Sequence, residues 1–379
     1  MVAYRCWAEV DFSALRGNLA WLRHRIGPQV KIITVVKADA YGHGLKQIAA
    51  LLMQSGTDVF GVANLTEAQT IRSVGQGWPI LMLGACLPGE VETAVRDDVM
   101  PTISSLGEAR AFSEAAAQRR QPVRIHLKVD TGMGRLGVPA AHAVELVTQV
   151  SALPHLTVQG IYTHYSSAED DGQFSRAQSA RFHAVLEQLR ARKLLPPLVH
   201  AHNSAALLHE SGSLHNVIRP GLLVYGIVPP GQRRLSAAVR RQLVPALALK
   251  CRVSFVKEVP RGTPLSYGRT FVTSRRTGVA TLTAGYGDGY PRAASNGAEV
   301  LIRGERCRVL GRVTMDQTLV DVTALPDLNA GEEAVLIGRQ GGDEITVTEL
   351  ADWCGTVPWE ILTNITYRVP RVYRGGHAA

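Results

Sequence analysis

The chain reads as an α/β protein, with an N-terminal (β/α)8 barrel of the TIM type followed by a C-terminal, mostly-β domain. From Lys31 to about Val228, short apolar strand-like runs alternate with helix-like segments. Eight such units fit into roughly 200 residues, as a closed barrel requires. A polar, Pro-flanked stretch, PPGQRRLSAAVRRQLVP, then marks a boundary, and beyond it the pattern changes to short runs broken by Gly and Pro. These observations place one domain at residues 1–235 and the second at 236–379. A doubly wound open sheet is the competing architecture, but the Gly-rich dinucleotide fingerprint is missing after the first strand.

In chain order, the predicted barrel strands are KIITVV, DVFGVA, PILML, MPTIS, RIHLKVD, TVQGIYTH, LVHAH and NVIRP. Amphipathic segments such as LTEAQTIRSVG and ARAFSEAAAQRR lie between them and read as helices. The opening run RCWAEVDF precedes this pattern, and its pairing with the second domain is left open by the sequence. The second domain, roughly 130 residues expected to be all β, is read from LALKCRVSFVKEV, GVATLTAGYGDGY, AEVLIRGERCRVLGRV, QTLVDVT and EEAVLIG.

Composition narrows the function classes. With 379 residues, 46% of them hydrophobic, the chain can bury two substantial cores and is neither disordered nor fibrous. No apolar run approaches the ~20 residues that span a bilayer, and MVAYRCWAEVDF lacks a basic segment followed by an apolar one. A cytoplasmic protein without membrane partners is expected. Five scattered cysteines without CxxC spacing suggest neither a disulfide framework nor a metal site. The formal charge of +9 is dispersed, densest at Arg233, Arg234, Arg240 and Arg241 in the linker. There is no basic stripe with interleaved aromatics, so nucleic acid is not an expected partner, whereas a positive field suits anionic substrates or cofactor phosphates.

The chemistry starts at VVKADAYGHG. Lys37 follows an apolar β-branched run and precedes turn residues, which sets it at the carboxyl end of a strand, where barrel active sites collect. A desolvated amine there loses its proton readily and forms a Schiff base with a carbonyl. An isolated lysine in such a place is more often a snorkelling surface residue, but other strand ends carry matching groups. Tyr41 accompanies Lys37; Lys128 and Arg135 lie at or after the fifth strand; His164 closes the sixth; Asn203 and Ser204 follow the seventh; Arg219 and Gly221 close the eighth. Singly these have structural readings, such as a helix cap for Asn203 or an ion pair for Arg219. Jointly they describe a pocket for an anionic aromatic aldehyde. Ser204, Tyr41 and the Gly221 and Leu222 backbone amides serve as phosphate donors, and Lys37 carries the carbonyl carbon. Pyridoxal 5′-phosphate (PLP) has this chemistry.

Along its whole length the chain resembles the alanine racemase family. The resemblance runs from RCWAEVDFSALRGNL to ITYRVPRVY through VVKADAYGHG, HLKVDTGMGRLG, GIYTHYSSAED, HNSAA, IRPGLLVYG, LSYGRTF, TAGYGDGYPR and GRVTMDQ. It implies a PLP-dependent homodimer with composite active sites, acting on alanine and supplying D-alanine, which in bacteria feeds peptidoglycan. Lys37 and Tyr267 are then the two catalytic bases, from different subunits, and His164 is the neighbour that supports the Tyr267 phenolate. Arg219 stands beside the pyridine nitrogen. Arg135 and the Met315 amide hold the substrate carboxylate, with Asp316 in support. Lys128 matches a position that carries a carbamate in many relatives. Tyr286 is the gate residue.

Trp359 stands where many relatives have a tyrosine that contacts the cofactor phosphate, which puts that contact in question and crowds the pocket. Thr314 replaces the small Cys or Ser often found there. A serine or broad-specificity racemase and a non-catalytic PLP carrier are the rival readings. The β domain and Tyr267 count against the carrier.

Overall fold

The computed structural model describes residues 4–209, 215–231 and 237–376. The expected boundary at 235/236, with Arg233 and Arg234, lies outside the described residues. The chain divides into two compact units. One comprises Arg16–Ala40 and Leu45–Leu243; the other comprises Met1–Leu15, Tyr41–Gly44 and Val244–Ala379.

In the first unit, eight parallel strands form a closed ring, the expected barrel. β1 is Cys6–Asp11 of the other unit, and the ring consists of β2 (Lys31–Val35), β3 (Val59–Val62), β4 (Ile80–Ala85), β5 (Val99–Ile103), β6 (Val123–Asp130), β7 (Leu156–Tyr162), β8 (Leu198–His200) and β9 (Val217–Ile218). β9 pairs with both β8 and β2, which closes the circle. Helices follow the strands because their sequences carry matching caps. Asn64 accepts from the Glu67 amide at 3.0 Å to start helix Leu65–Val74, and Ser105 accepts from the Glu108 amide at 3.2 Å to start helix Leu106–Arg119.

The β-ring positions alternate as a pleated strand requires. In β6, Ile125, Leu127 and Val129 are fully buried apolar residues, while the alternating His126 and Lys128 lie on the opposite face. A layer of Ile33, Val59, Leu81, Met100, Leu198 and Val217 forms one apolar cluster of this unit. The seventh and eighth strands are shorter than LVHAH and NVIRP suggest, and the residues past their ends, Ala201–Ser204 and Arg219–Leu222, leave the ladder as loops.

The second unit is built around the long strand β10 (Leu247–Val259). The opening strand β1 pairs antiparallel with β10, bringing Cys6 opposite Cys251, and parallel with the C-terminal strand Arg371–Arg374. β10 changes partners along its length. It pairs with Glu333–Gln340 through Leu249–Arg252 and with Thr277–Leu282 from Val253 onward, with a bulge between Val253 and Phe255. Such a bulge turns a strand from one sheet face to the next.

Two expectations are corrected in this unit. The run GVATLTAGYGDGY is a strand only as far as Leu282, after which its glycines carry a turn: a Cβ on Gly285 would lie 2.2 Å from the Thr314 carbonyl oxygen. The unit is also not all β, because helices Val347–Cys354 and Pro358–Thr363 follow the last hairpin. Thr346 caps the first and Pro358 opens the second, both readable start signals.

Candidate active site

In the barrel unit, the expected residues gather at the carboxyl ends of the strands. Lys37 follows β2 by two residues and opens an unusual turn: Ala38, Asp39, Ala40 and Tyr41 all have φ between 52° and 54°. Non-glycine residues avoid this left-handed region, and a run of them persists only where neighbours hold it. Here the Ala38 amide donates to Glu67 Oε1 at 2.7 Å, the Leu45 amide to Asp39 Oδ1 at 2.7 Å, and the Ala40 amide to the Val36 carbonyl at 2.9 Å. Burial, reinforced by the Arg135 guanidinium and opposed by Glu67, pulls the Lys37 ammonium below its ordinary range. The neutral, nucleophilic amine is thereby favoured.

Arg219 is the best-anchored group of the site. It is buried and donates to His200 Nδ1 at 2.7 Å, the Thr163 carbonyl at 2.8 Å, the Ala201 carbonyl at 3.0 Å and His164 Nδ1 at 3.1 Å. Its guanidinium carbon lies 5.0 Å from the centroid of the Tyr162 ring. Burial lowers its pKa to about 10, opposed by Tyr162 and Tyr165, so it stays charged at neutral pH.

Because a guanidinium only donates, these contacts decide the tautomers of the rings it touches. His200 accepts at Nδ1, so its Nε2–H donates to His126 Nδ1 at 2.9 Å. His164 accepts at Nδ1, so its proton sits on Nε2. Burial, with Arg219, Lys128, Arg135 and Lys37 adding to it, holds His164 well below the ordinary imidazole range, so it is neutral. A neutral His164 can act on a neighbour by a hydrogen bond from Nε2 and not by a positive charge.

Lys128 is buried, with its ammonium 4.4 Å from the centroid of the Tyr162 ring. Burial, then Arg219 and Arg135, depress it well below the ordinary lysine range against the pull of Asp130. That favours the neutral amine, the form a carbamate requires. Asp130 in turn accepts from the backbone amides of Gly132, Met133 and Gly134, which shapes the loop that carries Arg135.

Ser204 Oγ accepts from the Gly221 amide at 2.8 Å and from the Leu223 amide at 3.4 Å, which leaves its own hydroxyl proton to be donated. The Gly221 amide is therefore shared with Ser204, and Leu222 lies between the two amides that Ser204 gathers. Asn203 Oδ1 accepts from the Ala206 amide at 3.0 Å, the cap role that its sequence position suggested.

The second unit carries the remaining residues. Tyr267 opens a short 3-10 turn and is 71% exposed. Its turn is held from below, since the Ser266 hydroxyl donates to the Arg312 carbonyl at 2.6 Å. Tyr286 and Met315 are also exposed and belong to two touching loops, where the Tyr286 amide donates to the Thr314 carbonyl at 3.0 Å and the Gly287 amide to the Met315 carbonyl at 2.8 Å. The Thr314 hydroxyl donates to the Gln317 carbonyl at 2.8 Å and closes the loop that presents Met315. Asp316 accepts from Arg368 at 2.7 Å, and Arg368 also binds Asp288 at 2.8 Å.

Tyr41 belongs to this unit too. The Arg371 guanidinium donates to the Gly42 carbonyl at 3.0 Å and the Tyr373 hydroxyl to the His43 carbonyl at 3.1 Å, while a Cβ on Gly42 would lie 2.2 Å from the Leu362 carbonyl oxygen. Burial pushes the Tyr41 hydroxyl well above the ordinary tyrosine range, against a hydrogen bond from Trp359. An indole has one donor and no acceptor, so Trp359 opposes that upward shift as a donor toward the Tyr41 oxygen.

Sequence reasoning missed the groups behind these residues: His200, His126, Tyr162 and Glu67. His200 and His126 had a legible signal, since both alternate with apolar residues in strands that end at the site. Glu67 had none, because a glutamate in the first turn of a helix is an ordinary start signal.

Basic and aromatic groups thus gather at the strand ends of a parallel barrel, in a chain that continues into a mostly-β domain. Residues 10–229 match the model of the alanine racemase N-terminal domain and residues 246–373 that of the alanine racemase C-terminal domain. The chain belongs to the alanine racemase family. It is 40% identical to the alanine racemase of Halothermothrix orenii, over 97% of this chain and 96% of that one, and 42% identical to that of Symbiobacterium thermophilum, over 97% of both. Among solved structures it is similar to the alanine racemase of D-cycloserine-producing Streptomyces lavendulae, with a TM-score of 0.92 and 35% identity, covering 99% of this chain and 98% of that one. It is also similar to the alanine racemase of Bacillus anthracis with bound L-Ala-P, with a TM-score of 0.89 and 33% identity, covering 99% and 97%.

Proposed function

We propose that this protein interconverts L-alanine and D-alanine as a PLP-dependent, cytoplasmic homodimer, supplying D-alanine for cell-wall synthesis. The observation that carries the reading is the state of Lys37, a partly buried amine with a lowered pKa at the carboxyl end of a barrel strand. The donor set fits the cofactor. Lys37 would hold its aldehyde carbon. The proton of the Ser204 hydroxyl, the Tyr41 hydroxyl and the 221–222 backbone suit its phosphate, and Arg219 suits its ring nitrogen. When bound, PLP withdraws electrons from the substrate Cα and so eases removal of the α-proton.

The residues of the chain do the rest. Lys37 takes or returns the proton on the face that serves D-alanine, and Tyr267 of the partner subunit works on the face that serves L-alanine, with the His164 Nε2–H favouring its phenolate. Arg219 is a charged donor with no carboxylate bound to it among the described residues, so it disfavours a proton on the ring nitrogen and favours return of the α-proton over competing losses from Cα. Arg135 and the Met315 amide suit the substrate carboxylate, and Tyr286 and Trp359 limit the room for the side chain.

The test is a chiral assay of purified protein with PLP against L-alanine, L-serine and L-lysine, with Lys37→Ala as control. D-alanine alone, abolished in the control, is expected. Comparable D-serine would move the specificity argument to Trp359, and no product from any substrate would favour a PLP-binding role.

A further inference from the structure

The left-handed turn after Lys37 must be held by something outside itself, and Glu67 reaches it from another element. Its two carboxylate oxygens are divided between two backbone amides: Oε1 accepts from Ala38 and Oε2 from Ala63, both at 2.7 Å. Ala63 directly follows β3, the parallel neighbour of β2. One carboxylate therefore ties together the carboxyl ends of two adjacent barrel strands at the point where Lys37 leaves the sheet. Glu67 is itself held, since its own amide donates to the Asn64 side chain at 3.0 Å.

We propose that Glu67 is the positioning residue for Lys37: its carboxylate pins the Ala38 amide, stabilises the left-handed turn and so aims the lysine amine. This rests on the reading of Lys37 as the lysine that carries PLP. A glutamine cannot replace it, because an amide offers an oxygen to one backbone N–H and a second N–H to the other. Glycine, by contrast, adopts positive φ without steric cost, so Ala38→Gly should relieve the need for the tie.

The experiment compares two ligands of the apoenzyme: PLP, which uses Lys37, and 4′-deoxypyridoxine 5′-phosphate, which has the same ring and phosphate but no aldehyde. Glu67→Gln and Glu67→Ala are expected to weaken PLP binding by about tenfold or more, the scale of losing charge-assisted hydrogen bonds, and to change binding of the deoxy compound by less than about threefold. Adding Ala38→Gly to Glu67→Gln should restore part of the PLP affinity. Equal losses for both ligands, or none for PLP, would overturn the assignment. If the variants do not fold, hydrogen exchange on the wild-type holoenzyme decides: protection of the Ala38 amide matching that of Ala63 supports the tie, and exchange at the rate of an open loop overturns it. Lys37→Ala is measured alongside. PLP binding undiminished in that variant would overturn the reading of Lys37 and the role of Glu67 with it, whereas a normal control with equal losses in the Glu67 variants overturns Glu67 alone.

Discussion

Single groups in this site act through what their hydrogen bonds leave over. Arg219 donates to His164 Nδ1 and so leaves Nε2–H as the donor of a neutral ring. Ser204 accepts from two amides and so keeps its hydroxyl proton to donate. Burial raises the Tyr41 hydroxyl, and Trp359 opposes that shift as a donor. Tyr267 is the sharpest residue-level test of the two-base reading. Tyr267→Phe is expected to retain PLP while losing exchange of the L-alanine α-proton by about 100-fold or more, as removal of a general base implies. Exchange at the wild-type rate would rule out the assignment.

At the scale of elements, the barrel strands are built to line one buried face with basic side chains. β6 alternates apolar residues with His126 and Lys128, and β7 makes room for His126 with a glycine. A Cβ on Gly160 would lie 2.3 Å from His126 Nδ1. Gly160→Ala therefore forces the ring away from His200, and a loss of about 1–3 kcal/mol by chemical denaturation is expected from overpacking and the broken ring pair. The elements themselves were legible in proportion to their local signal. KIITVV, RIHLKVD and LALKCRVSFVKEV have long β-branched patterns and are strands. LVHAH and NVIRP were read too long because the backbone leaves the ladder after His200 and Ile218. The helix that carries Trp359 was lost inside a domain expected to be all β, because six residues hold too little periodicity to identify one.

For the molecule as a whole, the buried imidazoles make stability depend on pH. Burial first, then Arg219 and Arg124, lowers His126 to about 3, and His164 and His200 are also well below the ordinary value. The unfolded chain binds protons at an imidazole pKa of about 6.5, so between about 3 and about 6.5 it holds more of them than the folded chain does. The stabilising contribution is complete above about pH 6.5 and is lost as pH falls through that window. Urea unfolding at pH 7.5 and pH 5 should show the lower stability at pH 5, and equal values would contradict neutral buried histidines. The composite-site proposal also belongs to this scale. Mixing the inactive Lys37→Ala and Tyr267→Phe proteins under conditions that exchange subunits should form hybrid dimers with one intact site, returning roughly a quarter of wild-type activity for random pairing. No recovery, with exchange shown by mass spectrometry, would place both bases in one subunit.

The sequence by itself determined the order of the eight barrel units, the change of pattern at the linker and the position of Lys37, Arg135, Lys128, His164 and Arg219 at strand ends. Each of these follows from local periodicity and from the rule that barrel chemistry gathers at the carboxyl ends of strands. Family membership was legible in the same way, through motifs of a few residues. Only the tertiary structure decided that RCWAEVDF pairs with strands more than 200 residues away in the chain, that His200 and His126 back Arg219, and that Glu67 holds the turn at Lys37. The physical reason is common to these cases. Each is a hydrogen-bond partnership between residues far apart in the chain, and a donor or acceptor carries no local mark of the partner that folding brings to it.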